Sequence, residues 1–599
     1  MEDLTPFANS DYQREIAELK KQGTTNAAMA DTTGRSYESV RSAVRNMRKR
    51  KGTPTYRENR KFTTHDMFSI ISMIETQGVS VIDVADVMGC NETTIRKFMN
   101  KRSYKEFWDD YDEDSKPIAS GQISPPERKR KKIDGKKFIF LAAQNNTHVH
   151  RDFMKSIENF AKHNDAQIIV STFTYNKHGF QNQVKSDDDL WFDPTIKQYI
   201  VNEPIEICED LVFCGELNIL PTAVDPLSGL HSYTGGASGI VPHAKMQLES
   251  IPNHKSSDVK IMYTTGAVTQ RNYIQKKAGQ KAEFHHIYGA VYVEIDEEGD
   301  WFARQLSADS DTGCFYDLNR YYTPKEITDC AYVEAINWGD LHSEKKDHAV
   351  YEACFSGETT ILDKLKPKYQ FVHDVLDFTS RNHHNIGDPY FRFEKHIRGE
   401  DSVKGNIFDV IGTISSMTRD FSEIIIVESN HDLALEKWLK TADYKIDPEN
   451  AIFFLECQLK KYKAIERGED DFSIFEWAVK RNAEHLQHVR FLKTDESFRI
   501  CDRDGEGIEC GQHGHNGANG SRGGVGVFRR MGSRYNVGHC HSATIKDGVY
   551  YAGVMGKLSM GYNVGGGSWS HSLIVTYPNG KRTIITMKKS KDGKAKWRA

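Results

Sequence analysis

The sequence has no uninterrupted run of about 18 apolar residues, and its start, MEDLTPFANS, lacks the basic-then-apolar order of a signal peptide. These absences predict a cytoplasmic protein with no membrane partner. None of the ten cysteines forms a CxxC pair, which excludes the usual zinc-ribbon and redox motifs and leaves reduced thiols as the simplest account. The 24 histidines are the better candidates for chemistry, because many of them lie near glycine, asparagine or aspartate in the C-terminal half.

Length and composition indicate several folded domains. At 599 residues the chain exceeds what one hydrophobic core usually serves, so we expect about three domains. A content of 38% hydrophobic and 27% charged residues is ordinary for globular proteins. The net charge of −4 is unevenly spread, because residues 41–51, 126–137 and 588–598 are strongly basic.

The N-terminal quarter contains a duplicated helix-turn-helix pattern. In residues 78–99, GVSVIDVADVMGCNETTIRKFM, a small residue, a turn glycine and an anchoring apolar residue follow one another at the required spacing. These residues are Ala85, Gly89 and Ile95 in the second copy, and Ala30, Gly34 and Val40 at the same offsets in the first copy. A pair of ordinary helical hairpins is the alternative, but the basic second helices favour DNA binding. The predicted DNA contacts in these units are Arg41, Arg45, Asn91 and Arg96.

The rest of the chain divides by composition. An acidic and then basic linker with serine and proline would either hold DNA phosphates or serve as a solvated hinge. After it, strand-like runs alternate with an amphipathic stretch and predict an α/β domain, open to a role in binding or assembly, in which His148 and His150 are polar loop residues. The predicted segments are 1–56 and 57–108 for the two helix-turn-helix units, 109–137 for the linker, 138–327 for the α/β domain and 328–599 for the last domain.

In the last domain, five strand-like segments each end in a side chain that can bind a metal. Open α/β sheets place their binding sites at the carboxyl ends of the strands. The segments, in order, lead into Asp340 with His342, Asp374 with Asp377, Asn430 with His431 and Asp432, His513 with His515, and His539 with His541. Between the third and fourth segments, at about 433–492, lies a helical, charge-rich insertion with a role in substrate selection or subunit contact.

The ordered motifs D-x-H, D-x-x-D, N-H-D, H and G-H-x-H over about 328–590 resemble the calcineurin-like metallophosphoesterase superfamily, and among its members the DNA nuclease branch. The resemblance implies an α/β (α+β) fold with a C-terminal β-sandwich flanked by helices, behind the central α/β domain and the all-α N-terminal domain. It also implies two divalent metal ions. We expect Mn²⁺, with Mg²⁺, Fe or Zn²⁺ as alternatives.

The resemblance assigns roles residue by residue. Asp340, His342 and His541 would bind the first ion, Asp374 would bridge, and Asn430, His513 and His539 would bind the second. His431 would donate a hydrogen bond or proton to the phosphate, with Asp432 orienting it and Asp377 supporting its own motif. The sequence departs from the family pattern at two loop positions, where His373 and Ser429 stand in place of the usual glycine.

These observations predict a metal-dependent DNA nuclease. The domain order is also similar to phage-encoded nucleases that transfer or degrade DNA, which would place the protein in the host cytoplasm. His515, and Arg522 in the glycine-rich loop 516–530, would contact substrate phosphate, although that loop could also be a mobile surface loop. The alternatives are a phosphatase or phosphodiesterase acting on a nucleotide or protein, and a DNA-binding regulator with a degenerate metal site; a homo-oligomer is left open.

In the stretch Asn536 to Ala543, NVGHCHSA, a cysteine lies between the two predicted histidine ligands, so a metal there would bind through either the cysteine or the histidines. If this stretch is extended, side chains alternate, so His539 and His541 face one side and Cys540 the other. We therefore expect Cys540 to pack away from the metals.

Overall fold

The computed structural model describes residues 3–50, 70, 73–74, 80–88, 90–99, 130–175, 191–254, 258–382, 387–502, 505 and 507–598. The chain divides into two compact units, Met1–Arg128 and Lys129–Ala599. In the described ranges, every helix is too short or too polar to span a bilayer.

The N-terminal unit is helical where it is described. Its helices are α1 (Asp11–Lys21), α2 (Asn26–Thr33), α3 (Tyr37–Arg50), α4 (Val81–Val87) and α5 (Glu92–Met99). The hydroxyl of Thr25 caps α2 by accepting the N–H of Ala28, and Gly34 ends it with a left-handed φ of 63°. Ala30 and Val40 are buried between α2 and α3, as the repeat pattern requires.

The second helix pair packs in the same way. Ala85 on α4 and Ile95 on α5 are both buried in one small cluster. The predicted turn residue Gly89 and the predicted linker up to residue 129 lie outside the described residues.

The C-terminal unit contains two large sheets. The larger has eleven strands, in the spatial order β1 (Lys131–Lys132), β4 (Pro204–Cys208), β5 (Leu211–Cys214), β6 (Ser238–Val241), β8 (Lys260–Thr264), β7 (Leu248–Ile251), β21 (Thr544–Lys546), β22 (Val549–Tyr551), β20 (Arg534–Val537), β19 (Ile508–Glu509) and β18 (Arg499–Ile500). The second has six strands, in the order β17 (Arg490–Leu492), β16 (Glu423–Val427), β15 (Tyr369–Val372), β14 (Ala335–Asn337), β23 (Ser572–Thr576) and β24 (Arg582–Thr586).

Three smaller sheets account for the other strands in the described part of this unit. They are β10 (Trp301–Ser307), β9 (Gly289–Ile295), β2 (Lys137–Gln144) and β3 (Gln167–Phe173); then β11 (Phe315–Asp317), β12 (Arg320–Tyr322) and β13 (Ile327–Asp329); and β25 (Lys588–Lys589) with β26 (Ala595–Lys596). The eleven-stranded sheet joins strands from residues 204–264 to strands from residues 499–551 through the pairing of β7 with β21. The predicted boundary at 327/328 therefore lies inside one compact unit.

The helices of the C-terminal unit surround these sheets. They are α6 (Arg151–Asn164), α7 (Lys277–His285), α8 (His348–Tyr351), α9 (Ile361–Leu365), α10 (Pro389–Ile397), α11 (Val403–Met417), α12 (Ala434–Thr441), α13 (Ala451–Glu466), α14 (Ile474–Asn482) and α15 (Val525–Phe528). The predicted insertion at about 433–492 thus contains α12, α13 and α14. Mixed α/β content with several sheets agrees with the predicted class.

Parallel pairing brings the ends of the predicted strands to common edges. β14, β15, β16 and β17 run parallel in the six-stranded sheet, and β19 and β20 run parallel in the eleven-stranded sheet. A buried cluster contains side chains of both sheets, among them Phe371 of β15 and Ile508 of β19. The carboxyl ends of β14, β15, β16, β19 and β20 are followed by the five predicted motifs.

Candidate metal centre

Asp340 and His342 follow β14 but are not part of it. The strand ends at Asn337, and His342 has a left-handed φ of 50°. Asp340 and His342 therefore do not share one face of an extended strand, because the backbone turns between them. Both side chains are nevertheless fully buried and reach the same place, since a backbone bridge joins Asp340 to Val554.

The same correction applies to His539 and His541. β20 ends at Val537, and these histidines have φ values of 72° and 57°, so the stretch is a loop rather than an extended strand. Cys540 still packs away from the histidines, against the apolar cluster that contains Phe528 and Tyr551.

Four of the predicted ligands form one compact cluster. One ligand atom from each of them lies within 4.8 Å of the others, and these residues are Asp340, His342, Asp374 and His541. His541 Nε2 is 2.9 Å from Asp340 Oδ2 and 3.1 Å from His342 Nε2. His342 Nε2 is 3.7 Å from Asp374 Oδ2. These four residues bring two carboxylates and two imidazoles from three separate strand ends to one point.

Buried polar atoms without partners show that the cluster fits a cation. Asp340 Oδ1, Asp374 Oδ1, both ring nitrogens of His513 and Nδ1 of His541 have no hydrogen-bond partner among the described residues. Leaving a buried polar atom unpaired costs about 1–3 kcal/mol, and more for a charged group. Carboxylate oxygens and imidazole nitrogens are ligands that divalent transition metals accept. The orphaned atoms are therefore what a bound divalent ion would satisfy.

The pKa shifts within the cluster also favour a bound cation. Burial, and then the charge of Asp374, raise the pKa of Asp340 well above its usual range. Burial lowers the pKa of both His541 and His539 to about 4. Neutral imidazole is the form that binds a metal, and a divalent cation would offset the cost of ionised carboxylates in this interior.

His513 and His539, which the resemblance assigns to a second ion, lie beside this cluster. His513 Nε2 is 3.4 Å from Asp374 Oδ1, and the rings of His513 and His539 are 5.2 Å apart. His515 is half-buried next to them, with its ring 5.3 Å from that of His513. Asn430, the remaining predicted ligand, is exposed at the end of the loop after β16. The structure therefore places His513 against Asp374, with His539 and His515 next to His513, but does not bury Asn430 with them.

A second group adjoins the first and consists of the buried His342 and Asp377 and the half-buried His431. Asp377 Oδ1 lies 2.9 Å from His342 Nδ1, which fixes the ring so that its Nε2 faces the cluster. His431 Nδ1 is 3.2 Å from the carbonyl oxygen of Asp377. Burial opposes protonation of His431, but the charges of Asp374 and Asp377 outweigh it and raise its pKa.

Asp432 makes no hydrogen bond that orients the His431 ring. The Asp432 carboxylate instead holds the backbone of the surrounding loops. Its carboxylate accepts the N–H of Leu376 at 3.1 Å and the N–H of Ser429 at 3.2 Å. The Ser429 hydroxyl donates to the same carboxylate and accepts the N–H of Asp432. Serine at this position therefore closes the turn with its own hydroxyl. Burial raises the pKa of Asp432 to about 8.

The other departure from the family pattern, His373, is accommodated by a glycine on the opposite loop. His373 is fully buried, and a Cβ on Gly538 would lie 3.2 Å from its side chain and 2.2 Å from Asp340 Oδ1. Gly538 thus leaves the space in which both side chains pack.

Several residues around the centre carried no motif in the sequence. Lys345 Nζ lies 3.1 Å from Asp377 Oδ2, and Glu344 accepts the N–H groups of Asp377 and Phe378. The ring of Trp569 meets that of His541 edge-on at 4.2 Å. The only sequence feature that could have indicated Glu344 and Lys345 is that they closely follow His342. No sequence feature indicated Trp569.

The predicted DNA contacts lie on the surface or near it. Arg41 and Arg45 are exposed on α3, and Arg41 Nη2 donates to Asn91 Oδ1 at 3.1 Å. Arg96 is exposed on α5 and donates to Glu92 at 2.6 Å. Arg522 is exposed in the glycine-rich loop, where its charge opposes the burial that raises the pKa of the Cys540 thiol to about 11.

In the middle segment the structure gives both predicted loop histidines local partners. His150 caps α6 by accepting the N–H of Phe153 at 3.2 Å, and His148 Nδ1 lies 3.2 Å from Asp193. Neither histidine contributes to the clusters described above.

Comparison with known proteins gives one informative similarity. The chain is 44% identical to Protein A1 of Escherichia phage T5 over 488 residues, which cover 80% of this chain and 86% of that protein. No family model matches the chain, and no solved structure matches it. Identity at this level over most of both chains reflects common descent, while the name of the relative says nothing about catalysis.

Proposed function

This chain belongs to the family of phage T5 Protein A1, and from that premise we propose that it is a phage-encoded, metal-dependent DNA nuclease with a metallophosphoesterase-type centre. The observation that carries the proposal is the buried cluster of Asp340, His342, Asp374 and His541 with its orphaned polar atoms. A pair of divalent ions, Mn²⁺ in our proposal, would be held by these residues together with His513 and His539. Bound there, the ions would supply Lewis-acid activation of water and of the phosphoester.

The protein's own residues around the centre have separate tasks. Asp377 orients the His342 ring through its 2.9 Å contact and is itself held by Lys345. His431 is half-buried, and its Nδ1 is engaged by the carbonyl of Asp377, so its other ring nitrogen is left to donate to a substrate oxygen. Asp432 keeps the loop that carries His431 in place through its contacts with Leu376 and Ser429.

DNA is the proposed substrate because of the N-terminal unit. Its two helix pairs bury the small residue and the anchoring apolar residue of each helix-turn-helix pattern, and Arg41, Arg45 and Arg96 are exposed on the second helices of the pairs. Exposed arginines on such helices suit DNA phosphates and base edges. A phosphatase acting on a small or protein substrate would have no need of them.

The test compares single variants of the full-length protein in a DNA degradation assay with Mn²⁺, Mg²⁺ or Zn²⁺. Asp374→Asn and His541→Ala should reduce cleavage of plasmid and linear DNA by about a thousandfold or more, since they remove ligands of the ions that stabilise the transition state. Cys540→Ala is the matched control, because it alters the residue next to His541 without touching the cluster. It should retain full activity.

Two results would contradict the proposal. Hydrolysis of para-nitrophenyl phosphate esters with DNA left intact would favour the phosphatase. Fewer than about one transition-metal ion per chain after loading with Mn²⁺ would favour a DNA-binding regulator with a degenerate site.

A further inference from the structure

A cleft of about 550 Å³ opens beside the metal centre, and its walls carry aromatic rings, lysines and two carboxylates, those of Asp258 and Asp347. Its volume falls within the range of about 300–1,000 Å³ that is typical of small-molecule sites. The lining residues that matter here are Trp301, Trp569, His571, Lys557, Lys588 and Lys589.

Trp569 connects the cleft to the centre. Its ring meets the ring of His541 edge-on at 4.2 Å, and Tyr562 lies against it with ring centroids 5.9 Å apart. Trp569 is only half-buried, so part of its ring remains accessible from the cleft. An accessible indole next to a metal ligand offers a stacking surface within one nucleotide of the proposed reaction site.

Two buried polar atoms in the cleft walls have no hydrogen-bond partner among the described residues, although one of them, His571 Nε2, lies 3.9 Å from Asp347 Oδ2. His571 is 4% exposed, and its Nδ1 donates to the carbonyl of Val554 at 2.9 Å, which leaves Nε2 as an acceptor. Trp301 is also 4% exposed, and its indole N–H is a donor. Neither His571 Nε2 nor Trp301 Nε1 has a hydrogen-bond partner among the described residues. A buried acceptor and a buried donor in one cleft suit a ligand with both kinds of group along one edge, as a nucleobase has.

Lysines supply positive charge around this pocket. Lys557 is exposed at its rim. Lys588 Nζ lies 4.1 Å from the Trp301 ring centroid and 3.6 Å from Asp258, and Lys589 pairs with Asp347. Lysines interleaved with aromatic rings are the pattern by which proteins hold single-stranded nucleic acid.

We infer that this cleft is the substrate subsite of the metal centre and that it holds one unpaired nucleotide of the DNA strand next to the scissile phosphate. The base stacks on Trp569, its edge meets His571 and Trp301, and the neighbouring phosphates lie at Lys557 and Lys588. This inference rests on the proposed nuclease function and adds to it a preference for unpaired over fully paired DNA. A base inside a duplex cannot enter such a cleft without first leaving the stack.

The test measures binding by the full-length protein to a single strand of about 12 nucleotides that carries 2-aminopurine, with EDTA present so that the strand stays intact. Stacking on an indole should quench the 2-aminopurine fluorescence. Trp569→Ala should abolish the quenching and raise the Kd by about 5- to 150-fold, the equivalent of about 1–3 kcal/mol for one stacked base. Trp569→Phe should retain most of both effects, and duplex binding should change in neither variant.

Lys557→Ala is a second variant, which tests the subsite even if Trp569→Ala disturbs His541. It should weaken single-strand binding and lower the slope of log K against log salt by about 0.7, the contribution of one phosphate contact on a single strand. Mn²⁺ content, measured on the same preparations, should equal that of the wild type in Trp569→Phe and Lys557→Ala.

Unchanged quenching in Trp569→Ala, or an unchanged salt slope in Lys557→Ala, would overturn the subsite. The two proposals fail differently. Wild-type protein that degrades DNA but does not quench 2-aminopurine would refute the subsite alone. Wild-type protein that binds and quenches but degrades no DNA with any of the metals would refute the nuclease.

Discussion

Four residues of the centre adopt left-handed backbone conformations, which residues other than glycine rarely do. The φ values are 50° for His342, 43° for Asp374, 72° for His539 and 57° for His541. Each such conformation costs of order 1–3 kcal/mol and persists only where the surrounding structure enforces it, which occurs most often at functional sites. Here the turns bring side chains from separate strand ends to one point. Local sequence patterns do not predict these left-handed turns.

Gly538 is the backbone position on which the centre depends most directly. A Cβ there would lie 2.2 Å from Asp340 Oδ1, which has no room to move because Asp340 is fully buried. We expect Gly538→Ala to weaken Mn²⁺ binding at least tenfold, measured by isothermal titration calorimetry. Gly526→Ala is the control, since a Cβ at that exposed glycine meets nothing within 4 Å. Equal affinity in both variants would show that Asp340 is not a ligand.

A substitution at Asp377 tests whether the orientation of the His342 ring affects metal binding as strongly as the ring itself. Asp377→Asn removes the charge that faces His342 Nδ1 at 2.9 Å while keeping the shape of the side chain. Replacing such an outer partner typically costs about 10- to 100-fold in metal affinity or activity, and we expect that loss here. The measurement is Mn²⁺ affinity alongside the cleavage rate, with the exposed Asp420→Asn as control. Wild-type affinity in Asp377→Asn would mean that His342 needs no partner.

At the scale of elements, parallel pairing is what assembles the site. The sequence predicted five strand ends with metal-capable side chains, and the structure places a strand before each of them: β14, β15, β16, β19 and β20. Strand and helix positions follow from local apolar patterns and could be predicted. The pairing of β14 with β15 and of β19 with β20 joins residues far apart in sequence, so no local pattern encodes it.

The four-stranded sheet is tied to the short strand β11 by a buried charge network. Arg304 on β10 donates to Asp317 at 2.5 and 2.8 Å and to Glu294 on β9, and all three residues are buried. Arg304→Ala would leave two buried carboxylates without their partner, so we expect a loss of about 3–5 kcal/mol in the free energy of unfolding. Urea unfolding measures it, and Arg320→Ala, a partly exposed arginine on β12, should cost less than about 1 kcal/mol. Similar losses in both variants would argue against the network.

At the scale of the whole molecule, two buried histidines of the C-terminal unit make it sensitive to acid. His243 donates to the carbonyl of Leu220 and accepts the N–H of Lys245, while His286 donates to the carbonyl of Thr269 and accepts the Tyr273 hydroxyl. Each ring thus has one donor and one acceptor partner and is satisfied only when neutral. Burial lowers the pKa from 6.5 to about 4 for His243 and to about 3 for His286.

The sign of the pH effect follows from these values. The folded pKa lies below the unfolded value of 6.5, so the stabilisation is complete above pH 6.5 and is lost as the pH falls toward 4. Each histidine should cost about 1.4 kcal/mol per pH unit in that window. Nearby positive charges, Lys245 for His243 and Arg271 for His286, add to the effect.

Urea unfolding between pH 7 and pH 4.5 measures this dependence. His286→Gln can keep a donor and an acceptor but cannot titrate, so its slope should be shallower than that of the wild type. His396→Gln alters an exposed histidine on α10 and should leave the slope unchanged. A slope in His286→Gln equal to that of the wild type would mean that His286 is not protonated on unfolding.

The sequence by itself determined the helix pairs of the N-terminal unit, the mixed α/β content, the strands that precede the motifs and most candidate residues of the centre. These depend on local spacing, which fixes whether a side chain is buried or exposed within its own element. Only the tertiary structure decided which of the candidate ligands meet. It joined residues 204–264 to 499–551 in one sheet, placed Trp569 against His541, and left Asn430 exposed. The physical reason is that strand pairing and left-handed turns are selected by contacts across the whole unit, which no single stretch of sequence contains.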